Sequence, residues 1–481
     1  MTDGADAAAL EHAPWHWIAV SAGIGIYAAL VATAHSLSAT AVLAAPLVLL
    51  LAAWWTLSEP SRWTGAFIAS AILLPPLPVA LGNSGPHPAL FFAALGAIAG
   101  LLYLREWRIS ANSLTAGFVL LLTVLLVSLA WAALYSGPLI AAQSFARVLL
   151  FGIGLYVFFY AAYVTRAGHP PLRSLFWAAV VSAAMACVDF YYQLPAPAGF
   201  GPQFVWLATG VYRRAQGIFY EASTLGNFCA FFLVMIAVAL TRRRAETPLP
   251  RSTLIVGGVW FSAALIFSYS RASIVCLAAA LCALAWIDRA RIRWGGAIVM
   301  FGASVAGAAV AAYAFLPDLV SAFWGRLSGS ARLFEYGESI FSGRFESWRV
   351  VGRFLLEHPW HAVFGVGYKT LPYSDYIGQT VITDNMYLSM LAETGVIGLA
   401  VLVAFNFAVL IAAYRAARHP EPLASFLGAW IFCFWVGECF QMLSADLLTF
   451  WRVLPVYFLV LAWAVRESSR TVRESSRARS L

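Results

Sequence analysis

The chain has 481 residues, of which 62% are hydrophobic, 15% aromatic and only 11% charged. That leaves too little polar surface to cover a water-soluble globule of this size, so the composition excludes a soluble enzyme and reads as an integral membrane protein. A formal net charge of +8 suggests a nucleic-acid partner only until its distribution is followed, because membrane topology accounts for most of it.

A helical span needs roughly 20 apolar residues. On that measure candidate spans begin near residues 15, 39, 63, 88, 114, 145, 174, 222, 253, 272, 296, 395, 422 and 447, those at 88, 253 and 272 being short. The expected fold class is all-α, a polytopic membrane protein of about 12–14 transmembrane helices. Residues 1–14 carry Asp3, Asp6 and Glu11 but no Lys or Arg. The first span therefore lacks the basic flank of a cleaved signal and reads as a retained anchor. With the N-terminus in the cytoplasm, Arg62, Arg105, Arg108, Arg166, Arg173, Arg242, Arg243, Arg244, Arg251, Arg289, Arg291, Arg293, Arg415 and Arg418 fall inside. So do Arg466, Arg470, Arg473, Arg477 and Arg479. This is the positive-inside bias, and it places one large loop, residues 317–384, on the outer side.

The first five spans, to about Leu134, have short connections and almost no ionisable groups, so residues 1–144 read as a transmembrane scaffold. Charged residues on the outer side begin after Phe145, and residues 195–220 form the second longest outer connection. The tail, residues 466–481, is basic and small, and with Val465 it repeats Val-Arg-Glu-Ser-Ser-Arg, the pattern of a solvated segment beside anionic headgroups. Cys187, Cys229, Cys276, Cys282, Cys433 and Cys439 lie in apolar spans and read as small hydrophobes rather than a disulfide framework or a metal site.

The remaining basic residues, Arg147, Arg213, Arg214, Arg271, Arg326, Arg332, Arg344, Arg349, Arg353, Lys369 and Arg452, run against the topological bias. All but Lys369 are arginines, whose planar fork pairs two oxygens at once and keeps its charge when desolvated, so phosphate or diphosphate is the natural partner. Arg147, Arg271 and Arg452 sit at span depth. There a buried Arg bonded to helix-end carbonyls, or to Asp189, Glu438 or Asp446, is the competing reading. Arg326 and Arg332 read as solvated.

The outer loop holds an ordered series: Gly343-Arg344-Phe345-Glu346-Ser347-Trp348-Arg349, then Glu357-His358-Pro359-Trp360, then Phe364-Gly365-Val366-Gly367. It ends in Thr383-Asp384-Asn385-Met386-Tyr387-Leu388, followed by Gly395-Val396-Ile397-Gly398. Together with Arg213-Arg214-Ala215-Gln216-Gly217-Ile218-Phe219-Tyr220-Glu221-Ala222-Ser223 and the Ser270-Arg271 hairpin, the series resembles the O-antigen ligase and polymerase family of bacterial membrane glycosyltransferases. The resemblance covers about residues 145–465 and marks them as the catalytic membrane region. It implies a GT-C-like fold in the bacterial inner membrane, with the active site facing the periplasm. The implied donor is an undecaprenyl-diphosphate-linked glycan, and the implied acceptor is a second glycan or a lipid-linked glycan. The partners are then donor, acceptor and bilayer, with no nucleic acid. Arginines that stabilise the departing diphosphate make the reaction metal-independent, and no cofactor is called for.

On this reading Arg147, Arg213, Arg214, Arg271, Arg344 and Arg349 bind the donor diphosphate. Asp384 stands where the family's ligase pattern has His, and a carboxylate there is a candidate base for the acceptor hydroxyl. It is equally a candidate N-cap for the helix beginning near Met386. Glu221 is the second catalytic candidate. His358 and His361 come third and read as fixing a turn, while Gly365, Gly367, Gly395 and Gly398 read as structural. Trp348, Trp360, Tyr368, Tyr373, Tyr376 and Tyr387 suit sugar stacking and an interfacial aromatic belt alike. The Asp384 departure favours a polymerase of O-antigen or exopolysaccharide. The alternatives are an O-antigen ligase acting on lipid A-core, a protein O-oligosaccharyltransferase, a lipid-linked glycan flippase or transporter, and a non-catalytic assembly subunit.

Overall fold

A computed structural model describes residues 36–59, 61–77, 85–164, 170–197, 199–207, 210–243, 246–290 and 344–480, with a few isolated positions before residue 36. The span expected near 296 and loop residues 317–343, with Arg326 and Arg332, lie outside the described residues, as does most of the span expected near 15. The chain divides into two compact units, residues 1–63 and 64–481. In the first, helix α1 (Leu37–Ser58) is apolar throughout and carries Pro46 inside.

From Arg62 onward the helices are α2 (Arg62–Leu73), α3 (Pro88–Leu102), α4 (Ser113–Ser136), α5 (Pro138–Tyr163), α6 (Leu172–Tyr192) and α7 (Ala222–Thr241). They continue with α8 (Arg251–Phe267), α9 (Arg271–Ile287), α10 (Arg344–Glu357), α11 (Pro359–Phe364), α12 (Met386–Ala417), α13 (Pro422–Gln441) and α14 (Leu454–Ser480). Among the described residues, α4, α5, α6, α7, α12 and α13 are long and apolar enough to cross a membrane. This is a multi-pass, mostly helical membrane protein. The described count falls below the expected 12–14 because α3, α8 and α9 are apolar but short, and because other expected spans are not described.

The all-α expectation needs one correction. Strands β1 (Phe204–Leu207) and β2 (Gly210–Arg213) pair antiparallel, with Phe204 opposite Arg213 and Leu207 opposite Gly210. They lie in the connection 195–220, which is too polar for a span. There backbone groups need partners and the Phe-Val-Trp and Val-Tyr pairs favour a pleated strand.

Helix starts follow local chemistry. His87 caps α3 through Ala89 N–H with Pro88 next, Asn112 caps α4 through Thr115 N–H, and Ser270 caps α9 through Ser273 N–H. Helices α7 and α13 are buried along most of their length, whereas the long helices around them expose residues such as Leu120, Val127 and Phe407, a surface suited to lipid. The two central helices meet at Phe231 and Trp430, whose rings are 4.4 Å apart and whose indole N–H donates to the Phe231 carbonyl at 2.8 Å. A polar knot crosses the same core. Asn227 donates to Glu438 and Gln441, Cys276 to Glu438, and Tyr457 to Asn227. Polar groups bonded across helices in this way hold an apolar bundle in register.

Helix α12 is broken at Gly395 (φ 74°, ψ −176°). The loop after α11 packs into the break, with Val366 N–H donating to Ala392 O at 3.0 Å and Gly367 N–H to Glu393 O at 2.8 Å. Gly365 (φ +76°) and Gly395 face one another so closely that a Cβ on either would overlap the other segment's backbone. Only glycine satisfies both the positive φ and the approach. The expected structural role of these glycines is what the geometry shows. Helix α10 turns Val351, Phe354 and Leu355 against Val366, Leu371, Val381 and Ala392, which lays the described part of the outer loop over the broken end of α12.

Candidate functional site

A cavity of about 320 Å³ opens between the 195–220 connection, the start of α7, the outer loop, the first turns of α12 and the segment after α13. Its wall holds Gln203, Arg214, Glu221, Ser223, Arg344, Lys369, Thr383, Asp384, Ser389, Glu393, Ser444, Asp446 and Thr449.

One side is built on the β hairpin. Arg213 closes it by pairing with Asp189 near the end of α6 at 3.3 Å and donating to Leu194 O. Next to it Arg214 is pinned by Nε to Ser268 O at 2.8 Å and by its backbone N–H to Gln203 O. That anchorage leaves the outer fork of the guanidinium toward the cavity. Burial pulls the Arg214 pKa down to about 10, with nearby Arg344 and Arg271 adding and Glu221 opposing, so it remains a cation at neutral pH. Glu221 precedes α7 without capping it. Its carboxylate accepts from Thr224 Oγ1 at 2.6 Å. Burial pushes the Glu221 carboxyl above its ordinary value, with Asp384 adding and Thr224, Arg214 and Lys369 working against the shift. A carboxylate raised by desolvation beside cations is a group suited to proton transfer.

The other side is the outer loop. Arg344, at the start of α10, holds Asp384 at 3.1 Å, and Trp348 Nε1 donates to Thr383 O at 2.6 Å. The cap of α12 is Asn385, which accepts from Leu388 N–H. Asp384 is therefore no helix cap. It sits in the left-handed region (φ 44°) with its side chain 47% exposed, turned to Arg344.

The structure places the remaining expected residues elsewhere. Arg271 begins α9 near enough to couple with Arg214 and Arg344, but it is outside the cavity wall. Arg147 lies over the Tyr373 ring at 4.2 Å. Arg349 pairs with Glu346 on an open surface, the two side chains 60% and 64% exposed, away from the wall. Arg452 donates to the carbonyls of Ala71, Leu74 and Ile218, which is the helix-end bonding weighed for it. His361 bonds Gly365 O at 3.4 Å and Tyr376 OH at 3.2 Å, fixing the turn. Within the wall, sequence reasoning counted Lys369 only among the outward cations, offered Asp446 only as a partner for a buried Arg, and gave no role to Glu393. Lys369 is the chain's single lysine, and Glu393 is the sole charged residue between Met386 and Tyr414. Both were visible as exceptions to their surroundings.

Residues 256–403 match the family model described as O-antigen ligase. The matched stretch is just under a third of the chain. No curated protein matches the chain. The matched stretch supplies Arg271, Arg344, Lys369, Asp384 and Glu393, while Arg214 and Glu221 precede it and Asp446 follows it. The cavity wall is therefore assembled from the matched stretch and from segments on both sides of it.

Proposed function

We propose that this protein is a metal-independent membrane glycosyltransferase that moves a glycan from undecaprenyl diphosphate to a hydroxyl of a second glycan, in the manner of an O-antigen ligase. The observation that carries this reading is the juxtaposition, in one cavity, of the partly buried Glu221 carboxylate with Arg214 and Arg344. Glu221 takes the proton from the acceptor hydroxyl, whose oxygen attacks the anomeric carbon of the donor. The bond from that carbon to the diphosphate oxygen breaks, and the lipid diphosphate leaves with the electron pair. Arg214 and Arg344, with Arg271 behind them, stabilise the charge that develops on it. Arg147, Arg213 and Arg349 stand outside the wall. Asp384 takes the role of orienting Arg344, since its carboxylate is already engaged there. Residues 145–465 form the catalytic region of a GT-C-like fold, 1–144 its scaffold and 466–481 a cytoplasmic tail, in an inner membrane with the cavity facing the periplasm.

The family match supports a ligase, which makes a single transfer. Asp384, in the position where the ligase pattern has His, supports a polymerase as the second reading. The test is the glycan profile of cells carrying Glu221→Gln and Arg214→Ala. Loss of ligated or polymerised glycan with accumulation of lipid-linked precursor is expected; a normal profile with both replaced overturns the reading and favours a transporter. In the wild type, capped single transfers mark a ligase and a ladder of repeat units marks a polymerase.

A further inference from the structure

The arginines and Glu221 leave part of the cavity wall without a function. There Glu393 stands on α12 two residues before the break at Gly395 and is 1% exposed. The backbone amides of Lys369 and Leu371 face its carboxylate, while Oε2 is buried without a hydrogen-bond partner among the described residues. Lys369 beside it adopts φ +57°, a conformation that costs a lysine energy and persists only where the surroundings enforce it. Its ammonium has three donors and bonds Asp446, which leaves N–H groups for a ligand. Hydroxyls of Ser389, Ser444 and Thr449 belong to the same wall.

Charge decides what such a wall can hold. Arg344 pairs with Asp384 and Lys369 with Asp446, and Arg214 acts on Glu221. Among the described residues Glu393 is thus the wall carboxylate with no ion pair of its own, sharing Lys369 with Asp446. An unmatched carboxylate repels a diphosphate, so this side does not suit the donor's anionic group. A carboxylate oxygen that lacks a donor, flanked by an ammonium and several hydroxyls, matches a neutral ligand rich in hydroxyl groups. We propose that Glu393, Lys369 and Asp446 form a sugar-hydroxyl subsite that holds the acceptor glycan in the same cavity as the arginines. The assignment of the bound sugar as acceptor rests on the transferase reading above; the subsite itself does not.

Two probes separate these claims: a neutral oligosaccharide of the acceptor glycan, and inorganic pyrophosphate, each titrated against detergent-solubilised protein by calorimetry. Glu393→Ala should weaken oligosaccharide binding about tenfold or more and leave pyrophosphate binding no weaker. Glu393→Gln, which keeps an acceptor oxygen and the side-chain volume, should lose distinctly less. Where transfer is measured, the acceptor KM should rise while kcat and the donor KM hold. Unchanged oligosaccharide binding in a Glu393→Gln and Glu393→Ala pair that melt like the wild type overturns the subsite, as does a loss confined to pyrophosphate. If the wild type binds the oligosaccharide through Glu393 yet transfers nothing, the transferase reading fails and the subsite stands.

Discussion

Glu221→Gln is the most informative single substitution. Gln keeps the shape and the Thr224 contact but cannot accept a proton. Loss of a positioned general base costs about 10²- to 10⁴-fold in rate, which at about 1.36 kcal/mol per decade is on the order of 3–5 kcal/mol of transition-state stabilisation. Asp384 is not placed to replace it, being half-exposed and held by Arg344. The pH profile gives a second reading of the same residue. Burial raises the folded-state pKa of Glu221 above its ordinary 4.5, so the active carboxylate is lost, and transfer slows, as pH falls through that raised value. Stability runs the other way. The folded protein holds this proton more tightly than the unfolded chain, so the contribution is complete below 4.5 and disappears as pH rises through the folded value. Activity and stability should therefore change in opposite directions across that window in the wild type, and Gln should abolish both limbs. The assay is transfer from a lipid-diphosphate donor across pH 4–8, with thermal unfolding in detergent over the same range. A Glu221→Gln protein that keeps more than about a tenth of the wild-type rate and an unchanged acid limb would refute the assignment.

The arginines should separate by position. Arg214→Ala removes a cavity-facing cation and should lower kcat about 10²-fold or more, whereas Arg349→Ala, on an open surface, should stay within about threefold. Equal losses at both would show that the wall does not define the donor site. Gly395→Ala forces a side chain to φ 74°, ψ −176° against the carbonyl of Val363. The backbone strain alone is on the order of 1–3 kcal/mol, so the melting temperature in detergent should fall by several degrees; an unchanged value would mean that α12 is not locked there.

The sequence revealed the spans because lipid imposes long apolar runs, and α4, α6, α7 and α13 begin within about two residues of where those runs start, while α5 begins about seven residues before its expected start. Span α12 was placed about nine residues late, near 395. The apolar run there begins after the helix does, at the break that Gly395 creates. The β hairpin at 204–213 went unread because two short strands give too little periodicity, and Asp384 looked like a cap because Asp and Asn both accept from a helix N-terminus. Their φ and hydrogen bonds, which no sequence carries, assign the cap to Asn385. Arg214, Glu221, Arg344 and Asp384 could be picked out singly by charge and resemblance. Their meeting with Lys369, Glu393 and Asp446 could not, because it depends on the Gly365–Gly395 approach that folds the loop into the α12 break.

Reconstitution of the pure protein in liposomes with a defined undecaprenyl-diphosphate oligosaccharide and an acceptor glycan tests the central claim most directly. The account predicts a new glycosidic product with an equal amount of free undecaprenyl diphosphate, both lost in Arg214→Ala and Glu221→Gln. Recovery of the donor intact, or its movement between leaflets without cleavage, would contradict it.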